Sequence, residues 1–101
     1  DNGGIHIAYQ ALQSVLATQG GAAQAEKIDG YTPSQRFFIA FAQVWCENRS
    51  DQYAANSIKT DPHSPGQFRT NGTVQNFDQF GKAFGCHAGQ PMMPASACRV
   101  W

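Results

Sequence analysis

Between Thr32 and Trp45 a helix start signal runs directly into a broad band of apolar side chains, and this stretch limits what the chain can fold into. Thr32 can accept the Gln35 N–H, Pro33 suits the first helical position, and Gln35 can bond back to Thr32. Phe37, Phe38, Phe41, Val44 and Trp45 then cover so wide an arc that burial on more than one side is expected. Other helices must pack around this one. Ile5, Ala8, Tyr9, Leu12, Val15 and Leu16 recur at helical spacing and predict a helix over Gly4–Thr18, stopped by Gly20-Gly21. Ala22 to Tyr31 reads as a loop with at most a short helical turn. Ser50 or Asp51 can cap a helix reaching about Lys59, with Tyr53, Ala54 and Ile58 inward. Gln67 to Thr73 reads as a short helical turn, and Asn76 can cap a last helix carrying Phe77, Phe80 and Phe84 into the core. No stretch alternates cleanly as a strand and there is no internal repeat, so the expected fold class is mainly α.

With 101 residues the chain is one domain or a piece of one, burying roughly 65% of its unfolded surface. Charged residues make up only 14%, against roughly 25% in an average soluble domain, so much of the surface is expected to face other protein. Seven basic and seven acidic residues cancel. That balance offers no footprint for nucleic acid or an anionic membrane. No apolar run approaches the roughly 18 to 20 residues of a membrane span. Asp1-Asn2-Gly3-Gly4 has neither the basic nor the apolar region of a signal peptide, so any export signal is expected elsewhere. Cys46, Cys86 and Cys98 are an odd number, so either a thiol stays free or a partner lies outside the chain. Asn48-Arg49-Ser50 and Asn71-Gly72-Thr73 match the glycan acceptor pattern, which is common by chance.

Three arrangements of polar residues bear on chemistry. Cys46 with His63 could form a nucleophilic pair, but Cys46 follows Trp45 on an aromatic helix, where a structural disulfide is the commoner fate. A self-contained zinc site would need clustered ligands, and His6, His63 and His87 are far apart with no paired-ligand spacing. The third arrangement is His63 with Arg69, near each other on and after the segment Thr60-Asp61-Pro62-His63-Ser64-Pro65-Gly66, whose prolines forbid regular helix and brace the backbone. Either side chain could donate to a developing oxyanion. Composition suggests that Met92 and Met93 fill gaps in a tail from Cys86 to Trp101 that disulfides would anchor.

Asp1-Asn2-Gly3-Gly4, Ala42-Gln43-Val44-Trp45-Cys46, Ser57-Ile58-Lys59-Thr60-Asp61-Pro62-His63-Ser64-Pro65-Gly66, Arg69, Gln75-Asn76-Phe77 and Cys98-Arg99-Val100-Trp101 occur in this order. Together they resemble the C-terminal end of the neprilysin family of zinc metallopeptidases, which includes the endothelin-converting enzymes and bacterial oligopeptidases. The resemblance implies that residues 1–101 are the C-terminal portion of a catalytic domain, the helical end of a thermolysin-like lobe. The His-Glu-x-x-His motif that brings two zinc ligands and the general base is absent from this sequence. So is the third ligand, a Glu shortly before the position of Asp1. Zn2+ is therefore expected in the complete enzyme with no ligand from this chain, and the piece alone is expected to be inert.

By the same resemblance His63 matches a histidine that helps stabilise the tetrahedral transition state, and Arg69 an arginine that holds a substrate backbone carbonyl. Asp1 matches an aspartate that bonds a zinc-ligand imidazole, although an acid there could simply begin a helix. Asp61 would then be an orienting residue, since a binding arginine needs such partners; the plain alternative has His63 merely capping a turn and Arg69 pairing with Asp61. Val44 and Trp45 match positions lining the pocket for a large apolar residue after the scissile bond, with ordinary core as the plain alternative. Cys46, Cys86 and Cys98 match cysteines bonded to upstream cysteines in disulfide-rich members, and none is expected to pair within the chain. His87 has no counterpart role. The implied whole is an oligopeptide-hydrolysing zinc endopeptidase that is secreted, periplasmic or membrane-anchored, with the rest of the polypeptide and peptide substrates as partners and no nucleic acid. A non-catalytic helical binding module that stands alone is the rival reading.

Overall fold

The computed structural model describes residues 1–99; Val100 and Trp101, the end of the C-terminal motif, lie outside the described residues. The chain forms α1 (Asn2–Gln19), α2 (Gly21–Ala25), α3 (Pro33–Val44), α4 (Asp51–Thr60), α5 (Gly66–Val74) and α6 (Asp78–Phe84). No strand occurs among the described residues, only isolated bridges between Ile28 and Tyr31 and between Gln90 and Met93. The fold is mainly α, as expected. No helix among the described residues is long and apolar enough to cross a membrane.

The start of α3 follows its sequence signal: Gln35 N–H donates to Thr32 Oγ1 at 3.3 Å and Thr32 N–H to Gln35 Oε1 at 2.9 Å. Two orphan donors of the helix end are satisfied reciprocally. Gln35 also reaches α6, where its Nε2 donates to the Ala83 carbonyl at 2.9 Å. Phe38 is the centre of the core, 3% exposed, with the rings of Tyr9, Phe37, Phe77, Phe80 and Phe84 around it. Ile5, Val74 and Phe77 complete the buried cluster, and Met92 packs against it. Met93 covers Gly81, where a side chain would collide with its sulfur. Both methionines thus fill gaps in the way their flexible side chains suit.

Several expectations are corrected. α1 runs from Asn2 to Gln19, and α5 is a nine-residue helix where a short turn was expected. Asn76 does not cap α6: Phe77 holds the N-cap position, while Asn76 donates to the Gly72 carbonyl and accepts the Cys98 N–H at 2.7 Å. It ties down the tail instead. On α4, Tyr53 and Ile58 point outward, 57% and 75% exposed, and Ser57 is the inward residue. Periodicity locates an apolar stripe but not what covers it. α4 stands off the bundle, whereas α1 packs on α2 and α5, and α3 on α2, α5 and α6.

The described residues extend 49 × 29 × 24 Å with a radius of gyration of 15.6 Å. A self-contained domain of this length would have about 13 Å. With five buried hydrophobic residues among them, Ile5, Leu16, Phe38, Val74 and Phe77, the described residues form one thin core with long apolar margins.

Candidate functional site

Arg69 stands in the first turn of α5, where its own N–H and that of Phe68 donate to the Pro65 carbonyl. Its Nε donates to Asp1 Oδ2 at 2.8 Å and its Nη2 to Asp1 Oδ1 at 2.9 Å. This two-pronged geometry is the strong form of an arginine–carboxylate pair. The guanidinium carbon also lies 3.9 Å from the centre of the Trp45 ring, close enough for a cation–π attraction. Arg69 is thus held on one edge by a carboxylate and on one face by an indole, both side chains of the pair being about three-quarters buried. Nη1 has no acceptor among the described residues. Asp1 makes no side-chain cap on α1; its carbonyl accepts the Ile5 N–H, and its carboxylate serves Arg69. Each of its oxygens keeps a lone pair for another donor.

Asp61 ends α4, and its Oδ1 accepts both the His63 backbone N–H and Nδ1, each at 2.9 Å. The alternative pairing of Asp61 with Arg69 is not formed, because Asp1 has taken the arginine. Asp61 orients His63. With Nδ1 engaged, Nε2 is the ring nitrogen left for a ligand, on a side chain 65% exposed. A protonated ring donates from Nε2, and a neutral ring with its hydrogen on Nδ1 offers a lone pair there.

The His63 backbone N–H first, and then its side chain, hold the Asp61 carboxyl below the usual carboxylate range. A pKa lowered by folding stabilises the clamp above the unfolded value of about 4, and that contribution is lost as pH falls through the folded value. Followed by the chemical shift of the His63 amide, the clamp is therefore expected to release with a midpoint below the ordinary aspartate value; a midpoint at or above that value would show it absent.

Val44 and Trp45 are neighbours that face different grooves, and neither sits in the core. Val44, 73% exposed, borders an apolar groove of about 390 Å³ with Asp1, Ile5, Ala8, Phe37 and Phe41. Trp45 is where the chain leaves α3 and lines a second groove of about 410 Å³ with Cys46, Glu47, Pro65 and Gly66. Cys46 and Cys98 are exposed and Cys86 is half-buried, with no bond among the three. No group of three His, Cys, Asp or Glu that could hold a metal ion occurs among the described residues, so these side chains do not themselves fit zinc.

The structure therefore brings Asp1, Trp45 and Arg69 into contact, and separately Asp61 and His63. Sequence reasoning missed the Asp1–Arg69 pair, whose members are 68 residues apart. It also missed Glu47, which accepts the Gly66 N–H and pairs with Arg49. The only signal for the second was a glycine after a proline, at a spot where a close approach is now seen.

Among known proteins, the profile of peptidase family M13 matches residues 1–100. Over all 101 residues the chain is 46% identical to neprilysin of Homo sapiens, 48% to neprilysin of Mus musculus and 43% to endothelin-converting enzyme 1 of Bos taurus. In each case it spans 13% of the relative's length.

Proposed function

The chain belongs to peptidase family M13, and on that premise we propose that it forms one wall of the active site of a zinc endopeptidase, cutting oligopeptides on the amino side of large apolar residues. The observation that carries this reading is the Asp1–Arg69–Trp45 clasp beside an apolar groove. Fixing a guanidinium on an edge and a face leaves Nη1 aimed without further ordering, which suits it to grip a substrate backbone carbonyl. Val44 and the groove next to it accept the side chain after the scissile bond, with Trp45 shaping the site through Arg69. His63 Nε2–H donates to the oxyanion that forms when the peptide carbonyl is attacked, and Asp61 keeps the ring in place. Such donors act best when they need not reorganise.

Zn2+ belongs to ligands elsewhere in the polypeptide, where it would polarise the carbonyl and acidify water. Asp1 has lone pairs with which to orient one of those imidazoles. Cys46, Cys86 and Cys98 bond to cysteines in the rest of the polypeptide, each bridge stabilising by about 2 to 4 kcal/mol. That chemistry belongs to an extracytoplasmic protein, whether secreted, periplasmic or membrane-anchored. Peptides and the remaining polypeptide are the partners, and nucleic acid is not.

The test is to supply the complete polypeptide with oligopeptides containing one Phe or Leu and to identify the products by mass. Cleavage before the apolar residue, lost on removing metal with a chelator and restored by zinc, is expected. Hydrolysis that persists without metal, or no hydrolysis by zinc-loaded protein, would overturn the reading.

A further inference from the structure

The first turn of α5 rests on the turn after α3 through a contact that substrate binding does not explain. Gly66 is buried, and a Cβ placed on it would come within 2.6 Å of the Trp45 carbonyl oxygen and 2.9 Å of Glu47 Oε1. Its φ is not in the left-handed region, so the restriction is one of space alone. The Gly66 N–H donates to Glu47 Oε1 at 3.4 Å, and the same oxygen lies 2.7 Å from Arg49 Nη2. Pro65, at the N-cap of α5, has no side-chain acceptor for the orphan N–H groups of the helix start. Glu47, 19 residues before Gly66, supplies one, with its negative charge at the positive end of the helix dipole. Trp45, two residues before Glu47, lies against the Arg69 guanidinium. The Trp45–Glu47 turn therefore grips α5 twice within one helical turn, by its backbone at Gly66 and by its guanidinium at Arg69.

We infer that Glu47 is a positioning residue for Arg69: by capping α5 at Gly66 it sets where the guanidinium sits against Trp45 and Asp1. The inference rests on the peptidase reading, in which Arg69 binds substrate. A displacement of a fraction of an ångström at Arg69 should weaken ground-state binding more than it slows the chemical step.

In the complete enzyme, Glu47→Ala is expected to raise KM roughly three- to tenfold with little change in kcat, with zinc content unchanged and melting temperature lowered by no more than the loss of one helix cap. Glu47→Gln keeps an acceptor oxygen and should restore KM. Added to Arg69→Ala, the Glu47→Ala change should have no further effect, because residues acting through one another are not additive. An unaltered KM in Glu47→Ala beside an impaired Arg69→Ala enzyme would overturn the positioning role alone, as would effects that multiply in the double variant. An Arg69→Ala enzyme with unaltered KM and kcat would remove the peptidase role of Arg69, and this inference with it.

Discussion

A His63→Ala enzyme is expected to turn over its peptide roughly 10²- to 10³-fold more slowly, the usual cost of losing one preorganised oxyanion donor. Zinc content and KM should stay close to those of the parent, because on the proposed reading the ring meets only charge that develops during reaction. The geometry sharpens the expectation. Asp61 Oδ1 takes both the backbone N–H and Nδ1 of His63, so Nε2 is the nitrogen that can serve substrate, and alanine supplies no substitute. Asp61→Asn keeps an oxygen that accepts both bonds but removes the charge, and its turnover should fall between the two. Parent-like turnover in His63→Ala, measured on zinc-loaded protein, would take the residue out of the mechanism.

Arg69→Ala should lower kcat/KM by about 10²-fold, most of it through KM. Two losses combine: the proposed donor for the substrate carbonyl disappears, and the Asp1 carboxylate is left about three-quarters buried without its partner. Arg69→Lys is informative because a lysine keeps the charge but has neither the planar fork for both Asp1 oxygens nor a flat face for Trp45. It should rescue little. A lysine enzyme with nearly full kcat/KM would mean that only a positive charge is needed, and that the clasp is incidental.

Local signals in this chain were readable wherever the partners are close in sequence. The Thr32–Gln35 capping box, the stop at Gly20 and the aromatic band on α3 all stand where residue chemistry put them, since each depends on neighbours within one or two turns. Tyr53 and Ile58 were misread because helical spacing is the same for a stripe facing a core and one facing another body. Asn76 was misread because a capping residue and a tether use the same amide, and the tail claimed it. At the site, the residue types came through the resemblance, but their pairing did not. Asp61 beside Arg69 was chemically sound, but the folded chain gives Asp61 to His63, two residues on, and that pairing was not read from the sequence. Asp1 with Arg69 joins the first helix to the fifth, and only the folded chain decides that contact.

The segment around His63 also bears on the entropy of ordering that loop. Pro62 and Pro65 restrict the backbone on either side of the imidazole, and Asp61 ties down its Nδ1 edge. Ordering a flexible residue costs about 1 to 2 kcal/mol of conformational entropy for the backbone alone. Here that loss is incurred once, when the chain folds, so on the proposed reading it need not recur at each encounter with a peptide. The ring hangs from a backbone that has little freedom left to surrender.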